Sequence, residues 1–209
     1  MLLRQEVDEK NKNISGGNKM VSFLGTLPSI ESVSSALPAV VLDYMTESQL
    51  TETYHMIQKA AKYGHGFGFQ EFSSEDDFRN EISGSRCFAV TCKEEGTLLA
   101  SLILAQSKFY RGSDQVVDPY IIVKYSDRCK GLGEFCMRQA IKLSVSFGYI
   151  AMYIDTFANN VAILRIIDKI GGFQQVGCLP VGGCLPCGKF VPSIIFYRNL
   201  LIGEENNNT

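Results

Sequence analysis

Apolar positions along the chain switch between two spacings, and the switches mark its elements. "AVVLDYM" (Ala39–Met45) is a continuous apolar run of strand length. In the next stretch Leu50, Tyr54, Ile57 and Ala61 keep helical spacing, Thr46 or Ser48 can cap the start and Gly64 stops it. "SSEDDFRNEIS" (Ser73–Ser83) predicts a second, short helix, with Ser74 and Asp77 at capping-box spacing. "RCFAVTCKEEGTLLASLILAQSKFY" predicts a hairpin: Cys87–Cys92, a KEEG turn, and a return strand from Leu98 to Phe109. "DPYIIVKY" (Asp118–Tyr125) predicts a strand with Pro119 at its start, where a missing donor costs least. Leu132, Cys136, Ala140, Leu143 and Phe147 form the apolar stripe of a helix ended by Gly148. "YIAMYIDTF" (Tyr149–Phe157) reads as an interior strand, and "NNVAILRIIDKIGG" as a helix opened by Asn159 or Asn160. "FQQVGCLP" and "SIIFYRNL" close the series as strands.

The predicted order is β-α-α-β-β-β-α-β-α-β-β. A meander followed by strand–helix–strand units makes an α/β chain with a mixed sheet and helices on both faces. Residues 1–37, rich in Ser, Asn, Gly and charge, are expected to be a disordered leader, residues 38–202 one domain, and 203–209 a frayed tail.

Composition narrows the function classes. The chain has 209 residues, 45% of them hydrophobic, enough for a packed core without staples. A net charge of −2 argues against a general nucleic-acid binder, which needs a basic field. Seven cysteines, an odd number set within apolar patterns, fit free thiols in a reducing compartment. The start turns charged after three residues, unlike a secretory signal, and the run Leu98–Ala105 is too short to span a bilayer. A cytoplasmic protein is expected, with neither membrane nor nucleic acid as partner.

Chemistry concentrates in "YSDRCKGLGEF". Gly131 and Gly133 stand one residue apart at the mouth of a helix, after Arg128 and Lys130. A helix start presents unpaired N–H groups and about half a positive charge. Glycines let an anion approach and the two cations add to the field, so the turn suits a phosphate or pyrophosphate. A plain strand–helix turn, whose glycines satisfy backbone geometry alone, remains open. The turn is not G-x-x-x-x-G-K-[ST], and it lacks the third glycine of G-x-G-x-x-G.

"RCKGLGE" resembles the R/Q-x-x-G-x-G/A signature of the GCN5-related N-acetyltransferases (GNAT), which bind acetyl-coenzyme A. "NNVAILRIIDKIGGF" is similar to that family's second helix, with Asn160, Arg165, Asp168, Lys169 and Gly171 in register and one extra glycine, Gly172. The resemblance covers roughly Leu37 to Leu200. The segment from Arg165 to Leu200 is similar to fungal acetyltransferases that detoxify azetidine-2-carboxylate and act on proline-related amines.

The resemblance implies a GNAT fold and transfer of acetyl from acetyl-CoA to an amine, a small molecule, in a ternary complex without a metal. A non-catalytic acyl-CoA-binding domain, or a protein N-terminal or lysine acetyltransferase, is the alternative. The resemblance also implies roles. Arg128, Cys129, Lys130, Gly131, Leu132, Gly133 and Glu134 would hold the pyrophosphate. Ile121, Ile122 and Val123 would pair with the pantetheine arm, and Asn160 would touch the coenzyme.

The proton carriers do not carry over. Ile167 stands where many members have an acidic Tyr, and Ile154 where the fungal relatives have an Asn. Asp118 and Asp155 are therefore the candidate bases, and Tyr153 or Tyr125 the candidate acid, each with a structural role as the alternative. Cys184 and Cys187 are spaced C-x-x-C with Cys178 nearby, one ligand short of a structural zinc site. This glycine- and proline-rich stretch is expected to be a loop over the substrate mouth. His65 is a candidate pocket residue, and His55 a helix-surface one. A monomer or homodimer is expected.

Overall fold

The structure, a computed structural model, describes residues 27–64, 66–112 and 114–201. The elements run β1 (Ser29–Glu31), β2 (Val40–Tyr44), α1 (Glu47–Lys62), α2 (Glu75–Glu81), β3 (Arg86–Cys92), β4 (Leu98–Gln106) and β5 (Val116–Val123). A short 3₁₀ turn (Tyr125–Asp127) leads to α3 (Leu132–Ser146), β6 (Ala151–Phe157), α4 (Val161–Ile170), β7 (Gln174–Cys184) and β8 (Phe190–Asn199). One sheet orders the strands β1-β2-β3-β4-β5-β6-β8-β7. All neighbours are antiparallel except β5 and β6. From β2 onward this is the order that the spacing predicts.

Local chemistry explains the helix starts. Thr46 closes a capping box on α1: its hydroxyl accepts from Gln49 N–H at 3.3 Å, and Gln49 Oε1 accepts from Thr46 N–H at 2.9 Å. Ser74 caps α2 by accepting from Asp77 N–H at 3.1 Å. The Asp77 carboxylate takes the Ser73 hydroxyl instead of completing a box. Neither α3 nor α4 has a side-chain cap at its N-terminus.

The sheet divides two apolar layers. On one face α3 and α4 bury Leu132, Cys136, Met137, Ala140 and Ile167 against Leu102, Leu104, Val117, Met152 and Ile154. On the other, α1 and α2 bring Leu50, Ile57 and Phe78 onto Ala89, Leu98, Ile103 and Ile122. Thr53 of α1 meets Ser101 of β4 within this second layer, hydroxyl to hydroxyl at 2.6 Å, so both buried groups are satisfied. Alternation along β5 thus sends Asp118, Tyr120 and Ile122 toward α1 and α2, and Val117, Ile121 and Val123 toward α3 and α4.

Three differences from the sequence reading have physical causes. Residues 29–31 fall within the segment expected to be a leader, yet they pair with β2 through Ser29↔Leu42, Ile30↔Val41 and Glu31↔Val40. This covers an edge that would otherwise expose a ladder. Residues 1–26, and the tail from residue 202, lie outside the described residues. The stretch Cys178–Cys184, expected to be a loop, is the second half of β7, bulged at Gln175/Gly177 and Leu179/Gly183, with the reversal at Leu185–Lys189. The bulges absorb Pro180 and Gly182. Pro119 lies inside β5 rather than at its start.

Candidate active site

Pro119 stands where the sheet opens. β5 pairs with β6 only through Val116↔Ala151 and Val117↔Met152. Two residues later Pro119 brings no N–H to extend that ladder. Beyond it β5 stays on β4, from Asp118↔Ala105 to Val123↔Ala100, while β6 follows β8 from Tyr153↔Tyr197 to Phe157↔Ser193. Among the described residues, one edge of β5 from Asp118 to Val123 therefore has no strand partner, and a wedge separates it from β6. Ile121, Ile122 and Val123 occupy the end of this edge.

The edge runs into the glycine turn. Cys129 (φ 62°) and Gly131 (φ 93°) both take left-handed conformations, and Gly131 occupies the N-cap position of α3. The first-turn N–H groups of Leu132, Gly133 and Glu134 have no acceptor within the helix. The two glycines differ in purpose. Gly131 supplies the backbone conformation. A Cβ on Gly133 would lie 3.0 Å from Ile166 Cδ1, so that glycine lets α4 approach α3.

The basic residues are partly engaged. Lys130 Nζ lies 2.9 Å from Asp127 Oδ1. Partial burial works against ionisation of Asp127, but its bonds from Lys130 and Ser126 outweigh it and hold the carboxyl below its usual range. Arg128 lies 5.2 Å from the Tyr125 ring centroid and donates to Val123 O at 3.4 Å. Glu134 accepts from Arg138 at 2.9 Å and from Lys169 of α4 at 2.6 Å. On its outer side the turn is braced by the segment after β1: Ser34 Oγ donates to Lys130 O at 2.8 Å, and Val33 sits beside Gly131.

Asn160 precedes α4 but does not cap it. Its Nδ2 donates to Thr156 Oγ1 at 3.2 Å, and it lies against Gly66. Residues 66–72 thus close one end of the wedge, and Phe69 N–H bonds Cys184 O at 2.9 Å. This places β7 and the segment after α1 beside Phe157 at the end of β6.

The α1–α2 face of the wedge carries the titratable groups. Asp118 is 6% exposed, and no hydrogen-bond donor among the described residues reaches its carboxyl. Burial, and next the charge of Asp155, push it well above the usual carboxylate range. Asp155 accepts from Ser193 Oγ at 3.0 Å. Glu71 is exposed, yet desolvation by its surroundings raises its carboxyl, against the bond from Gly68 N–H at 2.7 Å. Lys108 Nζ sits 2.6 Å from Glu81 Oε1; partial burial works against the ammonium, but this pair holds its pKa up. Burial pushes the Tyr120 phenol up, and its hydroxyl lies 3.5 Å from Glu81. Tyr153 stands between Phe109 and Tyr197, with centroids at 6.1 and 5.3 Å.

The structure therefore brings Asp118, Asp155 and Tyr153 to one face of the splay. Tyr125 lies beyond the end of β5, against Tyr63 and Arg128. Ile167 is buried in the core, so α4 offers no phenol there. His65 lies outside the described residues. Sequence reasoning missed Glu71, Glu81, Lys108 and Tyr120. Tyr120 was within reach, since it follows Asp118 by two residues on a strand and shares its face. The other three come from connections and a helix end that carry no periodic signal. Cys87 and Cys136 are free thiols that burial raises to about 12, so they remain protonated. No group of three His, Cys, Asp or Glu side chains among the described residues is placed to hold a metal ion.

No protein-family model matches the sequence, and no curated protein matches it. Solved structures do. A phosphinothricin acetyltransferase of the GNAT superfamily from Sinorhizobium meliloti, in complex with acetyl-CoA, superposes with a TM-score of 0.66 at 14% identity, over 77% of this chain and 88% of that one. A GCN5-related N-acetyltransferase from Kribbella flavida gives 0.65 at 15% identity, over 77% and 97%. The ribosomal-protein-S18-alanine N-acetyltransferase from Escherichia coli gives 0.61 at 18%, over 80% and 97%. With its splayed β5 and β6 and the glycine turn into α3, the chain has the fold of the GCN5-related N-acetyltransferases.

Proposed function

We propose that this protein is an acetyl-CoA-dependent N-acetyltransferase acting on a small-molecule amine. The observation that carries the reading is the continuity of two open backbone surfaces. The unpaired β5 edge, Asp118 to Val123, leads through Arg128 into the uncapped start of α3. An extended amide-bearing arm fits the first, as an added strand would, and a pyrophosphate the second. Ile121, Ile122 and Val123 are assigned to the arm, Arg128 to Glu134 to the pyrophosphate, and Asn160 to the coenzyme from the far side of the wedge. Lys130, paired with Asp127, contributes less field than its charge suggests, so the N–H groups of the turn carry most of the anion binding.

Acetyl-CoA supplies the acyl group as a thioester. The chain positions the amine against it, and positioning can be worth an effective molarity of ~10⁵ M or more. Asp118 is the base. A carboxyl raised by burial and by Asp155 accepts a proton from an ammonium more readily than an ordinary one. Asp155 acts on it as a neighbouring charge, and Tyr153 is assigned the donation toward the departing sulfur.

The test is thermal unfolding with acetyl-CoA, free CoA and ATP. At ~100 times its dissociation constant a ligand adds ~2.7 kcal/mol to the folded state. Acetyl-CoA and CoA are expected to raise Tm and ATP to leave it. No shift with either coenzyme form would remove the reading.

A further inference from the structure

The acceptor side of the wedge holds four carboxylates, Glu71, Glu81, Asp118 and Asp155, from four different segments. Against them stands Lys108, already 2.6 Å from Glu81. Glu71 and Asp155 each accept a single neutral donor, Gly68 N–H and the Ser193 hydroxyl. Asp118 accepts none among the described residues, although it is almost fully buried and feels Asp155, Lys108 and Glu81. Among the described residues Ser144 Oγ is the buried polar side-chain atom left without a partner, so the Asp118 carboxyl keeps some contact with solvent, and a ligand donor can reach it there. Tyr153, Phe109 and Tyr197 add an aromatic wall on the same face, the companion surface that cations favour.

We infer that the acceptor is an amine carrying at least one further positive charge and no anionic group, held by Glu71 and Asp155 while its reacting nitrogen meets Asp118. The inference rests on the acetyltransferase reading and narrows it. It sets aside the amino- and imino-acid substrates that the likeness to the fungal azetidine-2-carboxylate group implies, since a substrate carboxylate would face these side chains. In the step itself the reacting ammonium gives a proton to Asp118, the freed amine forms the N–C bond, and the C–S bond breaks. The nitrogen loses its second proton as the C–S bond breaks, the thiolate takes up that proton by way of Tyr153, and Asp118 returns its own to water, so one amide, one thiol and one net proton result. The charge that stays on the substrate remains paired with Glu71 and Asp155 throughout.

The test is thiol release by the full chain from acetyl-CoA with spermidine, butylamine and L-proline, beside the thermal shift with acetyl-CoA and calorimetric titration of spermidine. Spermidine is expected to bind and to exceed butylamine in kcat/KM by about tenfold or more, as charge-assisted pairing allows, with no turnover of proline. Glu71→Gln, which keeps an acceptor for Gly68 N–H, should lower kcat/KM for spermidine about tenfold more than for butylamine. Asp155→Asn provides the same comparison should Glu71→Gln fold poorly. A coenzyme shift with proline or butylamine used as well as spermidine, equal losses on both amines in the variants, or no heat with spermidine overturns the inference and leaves the coenzyme reading standing. No shift with acetyl-CoA overturns both.

Discussion

Replacing Asp118 with Asn should make the protein more stable as the pH rises, while removing turnover. Burial and the charge of Asp155 raise the native pKa of Asp118 above its value in the unfolded chain. Between those two values the native state holds a proton that the unfolded state has released. Stability then falls with increasing pH, because its slope follows protons bound unfolded minus protons bound native. The favourable contribution is complete below the ordinary Asp value of about 3.9 and is lost as pH climbs through the raised one. One whole proton of difference sets the limiting slope at about 1.4 kcal/mol per pH unit. The group is 6% exposed, so solvent screening takes little from it.

Asparagine keeps the size and cannot ionise, so the variant lacks this slope. Urea unfolding at pH 5, 6, 7 and 8 and constant ionic strength gives the free energy of each protein. The variant-minus-wild-type difference should grow with pH, by no more than the limiting slope, and level off above the native pKa. Glu71, Glu81 and Lys108 are present in both proteins and largely cancel in the difference. Parallel curves would refute the reasoning, because they would mean that Asp118 titrates as it does in the unfolded chain. The proposed base would then lose the property that suits it to accept a proton near neutrality. A variant more stable and inactive at pH 8 would instead place the desolvation at a functional carboxylate.

Two glycine substitutions separate backbone geometry from packing. Gly131→Val puts a β-branched residue at φ 93°, at a cost of about 1–2 kcal/mol, and should abolish the coenzyme-induced Tm shift; an undiminished shift would show that the turn does not hold the coenzyme. Gly183→Ala introduces a Cβ that would overlap the Phe157 ring, so urea unfolding should show a loss of about 1–3 kcal/mol. At Gly68 the added Cβ meets its nearest atom at 3.5 Å, and Gly68→Ala should change little; similar losses at both sites would contradict the packing described around Phe157.

The helices were legible because caps and apolar spacing agree within each, as at Thr46 with Leu50 and Ile57. The wedge was not. The run from Val116 to Val123 has a strand's composition, and nothing in it tells which neighbour each residue pairs with. Pro119 was therefore placed at a strand start, where it is harmless, and not at the point where one ladder of an interior strand stops. The carboxylates were half legible. Asp118 and Asp155 are candidate bases in the sequence because the family's proton carriers are missing at Ile167 and Ile154, whereas Glu71 and Glu81 reach the same face from a connection and a helix end, and such convergence is tertiary. Gly133, read for anion access, also gives Ile166 of α4 its room, a packing demand set by tertiary structure.

The helix starts connect the legible to the illegible part. Where the chain supplies a side-chain cap, at Thr46 and Ser74, the helix lies in the layer of Leu50, Ile57 and Phe78, and its first turn has a side-chain acceptor. Where it supplies none, at Gly131 and Asn160, the helix begins beside the wedge, and Asn160 turns its amide to Thr156 instead of its own first turn. An uncapped start leaves N–H groups in search of an acceptor. At α4 the first N–H is already taken, Val161 donating to Asn159 O at 3.0 Å, so the open donors that continue the β5 edge as a track are chiefly those at the start of α3. The identity of Cys129, Lys130 or Leu132 matters less along that track than the conformation which Gly131 permits.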